Sequence, residues 1–361
     1  MFYTPNQRGF CTMDIRPYLE DLEQRIDPAV EDQLWQEWAT FANGGFTGDL
    51  FSPCRTATSE PAVAWPAVRV NQALDDYDSM LVQQLAGCSG VLAKGTGALL
   101  NVRCNYGSSI LPSLFGVKLF VMDDRYNTLP TSEPIEGGTD AIRRLVDQGM
   151  PDLAAGYGKQ VMEMGQRYLA AFADYPKVAK YVKIYHPDMQ GPMDVCEVLW
   201  GSGIFLEFFD NADLVHQLLD LVCDTYIAFR RKWLEIVPIE GDTDTHWSMM
   251  HRGHIMLRDD SAMNLSPEMF GEFIAPYNQR LYREFGGGAD HFCGKGDHYM
   301  EQLTALDGLY AINMSQPEYN DMETIYRHTV DKGVPIIGLA RTEAERALAA
   351  GRDLHGLVHS A

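Results

Sequence analysis

Residues 289–340 read ADHFCGKGDHYMEQLTALDGLYAINMSQPEYNDMETIYRHTVDKGVPIIGLA, and the order of apolar runs and amphipathic stretches within them decides the fold. The runs 289–294, 309–315 and 334–340 have the length and the glycine or proline flanks of strands. Between them, 297–306 and 319–333 carry helical spacing, and 342–350 supplies another helix. Strand, helix, strand, helix in this order requires parallel strands joined by right-handed crossovers.

The same unit extends upstream. Residues 254–260 (HIMLRDD) read as a strand and 266–286 as a helix, with Ser266 at the N-cap, Pro267 in the first turn and Gly286 as the stop. Pro276 is expected to kink that helix. The stretch 211–237 is a long helix with Asn211 as its expected cap and Leu214, Leu218, Leu221 and Val222 on one face. Further strands are expected within 98–107 and 180–192, and helices at 29–42 and 77–93. With about eight strand candidates, the expected fold is α/β, a closed (β/α)8 TIM barrel with an N-terminal helical extension. The extension covers 1–60 and the barrel 61–361. No glycine-rich loop opens a strand-to-helix turn, which argues against a dinucleotide-binding sheet.

Composition narrows the function. Fifty acidic against 29 basic side chains give a net charge of −21 over 361 residues. Such a surface repels nucleic acid and anionic membranes, although a local arginine cluster can still hold an anionic small molecule. No apolar run approaches a membrane span, and the start lacks the basic and apolar regions of a signal peptide. Seven scattered cysteines without a CxxC read as reduced thiols, and the expected location is cytoplasmic.

In a (β/α) barrel, chemistry sits at the C-terminal strand ends. The residues expected there are Arg103, Asn105 and Tyr106; His186, Asp188 and Gln190; Arg258, Asp259 and Asp260; His291 and Cys293; Asn313 and Gln316; and Arg341. Side chains alternate along a strand, so His291 and Cys293 share a face while Phe292 points away. An imidazole and a thiolate converging at a strand end suit a borderline-soft ion such as Zn²⁺. The same pair also suits a small buried thiol beside a bonded imidazole, because two donors do not complete a site. Arg103 and Asn105 form an anion or carbonyl clamp, or else Arg103 answers one of the many carboxylates. Asp259 and Asp260 take opposite faces. Asp260 and Tyr106 are the candidate catalytic residues, and Arg103, Asn105, Gln190, His246 and Gln316 the candidate substrate contacts. His246, His251 and His254 fit no familiar metal helix, and neither a GxSxG elbow nor a P-loop is present.

Taken together, DMQGPMDVCEVLWGSG (188–203), RDDSAMNLSPEMFGEFIAPY (258–277) and DHFCGKGDHYMEQL (290–303) resemble the uroporphyrinogen decarboxylase superfamily, from roughly residue 60 onward. The resemblance implies a (β/α)8 fold. That superfamily holds the decarboxylase of haem biosynthesis and the zinc-dependent methylcobalamin:coenzyme M methyltransferases. The decarboxylase branch grips its substrate's carboxylates with an N-terminal RQAGR segment; here 6–10 reads NQRGF, with Arg8 alone. The methyltransferase branch binds zinc through an HxC motif and a later cysteine. His291 and Cys293 match the first two positions. No cysteine follows Cys293, and of the two histidines in the C-terminal segment LHGLVHSA, His355 and His359, His359 stands nearer the third position. The resemblance thus implies zinc on His291, Cys293 and His359, and methyl transfer from a corrinoid, brought by a separate carrier protein, to a small thiol-type acceptor. The runner-up is decarboxylation of a tetrapyrrole or other carboxylated substrate, and the third reading is a non-catalytic barrel that binds a small molecule. Members commonly form homodimers.

Overall fold

A computed structural model describes residues 13–360. The Arg8 segment lies outside the described residues. The strands are β1 (Asn101–Val102), β2 (Lys118–Phe120), β3 (Thr131–Glu133), β4 (Lys183–Ile184), β5 (Thr243–His246), β6 (Met249–Arg252), β7 (Ile255–Arg258), β8 (Gly288–Phe292) and β9 (Leu309–Met314). β7, β8 and β9 form a parallel sheet in that order, and β1 pairs with β4, also in parallel. β2–β3 and β5–β6 are antiparallel hairpins.

The expected closed barrel is therefore corrected. Among the described residues no sheet exceeds three strands and none closes on itself. Three local causes are visible. The run 334–340 pairs only through single bridges, Ile336 with Ile312 and with Val358, because Pro335 lacks a donor and Gly338 turns the backbone at φ +73°. β4 is two residues long and is followed by Pro187 and by Gln190 at φ +46°. The β5–β6 hairpin interrupts the strand–helix alternation altogether.

Helix ends follow their side chains. Asp27 accepts the Ala29 N–H at the start of Pro28–Ala42, and Asp76 accepts the Ser79 N–H at the start of Tyr77–Lys94. Ser266 caps Pro267–Phe273 as expected, but Pro276 does more than kink: the chain breaks at Ile274 and starts a second helix, Ala275–Phe285. Asn211 does not cap Ala212–Ile236; its amide donates to Glu207 instead.

One core runs from Leu19 to Val358 around the long helix Ala212–Ile236. A smaller one gathers Trp38, Phe41 and Phe51 against Met256, Ala289 and Ala311 of β7, β8 and β9. Trp38 also donates its indole N–H to the Gly97 carbonyl, so the helix Pro28–Ala42 is fastened over those strands.

Candidate metal centre

Parallel pairing lines up one row of side chains. β7, β8 and β9 set Arg258 opposite His291 and His291 opposite Asn313. Asn313 Nδ2 donates to the Ile337 carbonyl at 2.6 Å, which fixes the amide and leaves its oxygen to accept. That oxygen lies 2.6 Å from His291 Nδ1, so Nδ1 carries the proton and donates. The Nε2 lone pair is then free and held in direction.

Beyond β8 the chain places Cys293 Sγ 3.4 Å from His291 Nε2. Asp260 opens the 3-10 turn Asp260–Asn264 that follows β7. Its Oδ1 lies 3.7 Å from His291 Nε2 and accepts the Cys293 N–H at 2.8 Å. The three candidate ligand atoms lie within 4.8 Å of one another. Three protein donors, one nitrogen, one sulfur and one oxygen, could hold a metal ion and leave a further position open. The outer side is open: the Asp260 side chain is 39% exposed against 9% for His291.

The loop that follows is pinned. Gln316 Oε1 accepts the Gly294 N–H at 2.6 Å, and Asn320 bonds to both Gly294 and Gly296. Gly294 sits at φ +73°, where a Cβ would meet Met263.

Electrostatics sets the protonation of the donors. Burial lowers His291, against the pull of Asp260 and the Asn313 bond, and so favours its neutral form. Burial also pushes the Cys293 thiol up, with Ser315 opposing and Asp260 adding to the rise. Carboxyls underlie the cluster. Asp194 accepts the N–H groups of Asp260 and Ser261 at 3.1 and 2.7 Å, and burial followed by its two acidic neighbours raises it well above the carboxylate range. Asp259 and Asp290 are both buried and interact with each other; Asn278 donates to Asp259 and the Tyr282 hydroxyl to Asp290. Burial is the main cause of the rise in both, and Asp290 is pushed up to about 7.

On the Arg258 side, buried Asp188 pairs with Arg103 at 2.6 Å and with Arg258, and His246 Nε2 lies 3.4 Å away. Burial alone would raise Asp188, but Arg258, His246 and Arg103 outweigh it and hold it far below its usual value. Burial drives His246 down to about 3, leaving a neutral imidazole. Two guanidiniums on one carboxylate leave a net positive charge beside a cavity of ≈ 330 Å³ lined by Gln83, Arg103, Tyr185 and Trp247.

Trp247 joins this cavity to the metal cluster. Its ring meets His291 edge-on at 4.9 Å, and Arg258 lies 4.6 Å over its face. Trp247 and Ser248 form the β5–β6 tip at φ +47° and +64°, the left-handed geometry that hairpins normally give to Asn-Gly. Gln190, also left-handed, accepts from Arg258 Nη1 at 3.0 Å. Backbone strain of this kind persists where the surroundings over-determine it.

The expected site residues are placed as follows. Asp260, His291 and Cys293 converge. His359 stands apart from them, packed against Trp38 at 4.4 Å, with Nδ1 accepting the Gly338 N–H at 3.0 Å. Tyr106 is fully buried against Tyr157, its hydroxyl unpartnered. Asn105 donates to Gln83 at 3.4 Å, and Gln316 ties the loop after Cys293. Trp247 was not singled out by the sequence; the signal was a bulky residue at a hairpin tip where glycine or asparagine is the rule.

No family model matches the chain, and no curated protein matches it. Among solved structures, a methyltransferase from Methanosarcina mazei superposes with a TM-score of 0.63 at 17% identity, covering 91% of this chain and 92% of that one. The two chains share an overall fold. No described helix is long and apolar enough to cross a membrane.

Proposed function

We propose that this chain is a zinc-dependent methyltransferase that moves a methyl group from a corrinoid, brought by a carrier protein, to a small thiol-type acceptor. The observation that carries the reading is the convergence of Asp260 Oδ1, His291 Nε2 and Cys293 Sγ at the open end of β7 and β8. The fold shared with a methyltransferase supports it. The donor set fits zinc, with Asp260 where the resemblance implied a residue nearer the C-terminus.

Bound zinc would supply a Lewis-acid position at which a thiol loses its proton near neutral pH. The remaining work falls to the chain. Asn313 holds the His291 tautomer, and Asp260 fixes the Cys293 backbone while offering a carboxylate oxygen to the same point. Trp247 walls the acceptor from solvent, and the net charge of the Arg103–Asp188–Arg258 group orients an anionic acceptor in the adjoining cavity.

The test is elemental analysis of the wild type beside Cys293→Ser and Asp260→Ala, followed by methyl transfer from methylcobalamin to a thiol. Near-stoichiometric zinc in the wild type, lost in Cys293→Ser together with turnover, is the expected result. A wild type that binds no zinc on reconstitution would overturn the reading.

A further inference from the structure

A second cavity, ≈ 460 Å³, opens at the other end of the strands, where β4 and β5 begin. Its walls are mixed: Trp35, Phe172 and Trp233 give apolar surface, while Lys183, Arg230, Asp244 and Glu240 supply charged groups. Arg230 is 1% exposed, and only its Nη2 has a hydrogen-bond partner, the His254 carbonyl at 2.9 Å. Its Nε and Nη1 are unpartnered, as are Thr245 Oγ1 and Asp244 Oδ2, the latter 3.6 Å from Arg230 Nη2. Buried donors left without acceptors are costly, and a guanidinium is the most demanding of them.

Lys183 adds a second cation. Its ammonium lies 5.1 Å over the Trp35 ring, and no ion pair to it is found among the described residues. Burial works against its charge, with Glu240 and Asp244 only partly compensating, so an anion in the groove would stabilise the charged form. Lys180 on the same wall is already paired with Asp32. Two nitrogens of Arg230 and the Lys183 ammonium thus lack hydrogen-bond or ion-pair partners among the described residues, with the Asp244 and Glu240 carboxylates on the same lining, and they stand among aromatic and aliphatic walls. The complementary ligand has one acceptor-rich anionic head and an apolar body.

We propose that this groove binds a small amphiphilic monocarboxylate, its carboxylate answering Lys183 and Arg230 and its body lying against Trp35, Phe172 and Trp233. The site is separate from the metal centre and does not rest on the methyltransferase reading.

Octanoate is the probe, titrated into the full chain and followed by tryptophan fluorescence and calorimetry, with octan-1-ol as the uncharged control. Saturable binding of octanoate is expected, with octanol weaker by about tenfold or more. Lys183→Glu should weaken octanoate by about tenfold or more while leaving octanol unchanged. Ala179→Trp, at an exposed position on the rim, should fill the groove and abolish binding of both while the circular-dichroism spectrum and zinc content stay as in the wild type. Octanoate and octanol binding alike, undiminished binding by Ala179→Trp, or no saturation with octanoate would each overturn the proposal.

Discussion

His291 owes its role to its neighbours more than to itself. Its Nδ1 proton is held by Asn313, and its ring is wedged between that amide and Trp247. Asn313→Ala should therefore lower zinc affinity by about 10- to 100-fold without touching a ligand, measured by competition with a chromophoric chelator. An unchanged affinity would mean that the tautomer needs no partner. The protons on the donors set a second expectation. Burial favours neutral His291, which has no proton to lose, whereas the raised Cys293 thiol must lose one when a cation binds. Zinc affinity should thus climb about tenfold per pH unit between neutrality and the thiol's own pKa, with a slope of one. A slope of two above pH 7 would show that a second proton leaves with it. At this scale the sequence was partly legible. Strand alternation alone put His291 and Cys293 on one face. Asp260 was legible as a mouth residue but not as the third donor, because its approach to Cys293 depends on the turn after β7.

Strands and turns carry those residues to their places, and glycines decide how close the strands come. Gly288 of β8 faces β7 so tightly that a Cβ would stand 1.8 Å from the Ile255 carbonyl oxygen. Gly288→Ala must spread the two strands and shift the register that pairs Arg258 with His291. A loss of roughly 2–4 kcal/mol in urea unfolding, with weakened zinc binding, is expected. Gly271 gives the opposite sign. It lies exposed in the helix Pro267–Phe273 with nothing within 4 Å of an added Cβ, so Gly271→Ala should gain roughly 0.5–1 kcal/mol. Equal effects at the two positions would refute the steric account. Parallel segments β7, β8 and β9 were readable from their apolar runs. The β5–β6 hairpin was not, since Trp247 and Ser248 at its tip carry none of the usual turn chemistry and are held there by contacts distant in sequence, Ser248 to Asn101 among them.

Across the whole molecule, the alternation of strands and helices suggested a closed sheet, but closure depends on long-range pairing that Pro335, the short β4 and the β5–β6 hairpin curtail. Charge distribution is a whole-molecule property too, and it makes stability depend on pH in an unusual direction. Asp194 and Asp259 are raised well above the usual range, Asp244 to about 6 and Asp290 to about 7, burial being the main cause in each. Unfolded, all four release their protons near pH 4, whereas the folded chain keeps them higher. Between about pH 4 and 7 these four carboxyls keep protons on the folded state and make stability fall as pH rises. The buried His186, His246, His251, His291 and His359, all lowered by burial, stay neutral when folded and oppose that fall up to about pH 6.5. Asp188, held low by two arginines, acts the other way, but its contribution is lost only below about pH 4. The apparent melting temperature of zinc-free protein should thus fall as pH rises above about 6.5, where the histidines are neutral in both states and only the raised carboxyls still titrate. Measurements at a fixed 0.15 M salt, where the Debye length is about 8 Å, keep the screening of the acidic surface charge, −21 at pH 7, constant. Asp259→Asn isolates the buried pair. An amide at 259 can accept from Asn278 and donate to Asp290, so the pair no longer needs a shared proton. That variant should match the wild type near pH 5 and exceed it by on the order of 1 kcal/mol at pH 8. If the two melting curves stay parallel from pH 5 to 8, the proton between Asp259 and Asp290 is not what makes the chain lose stability with rising pH.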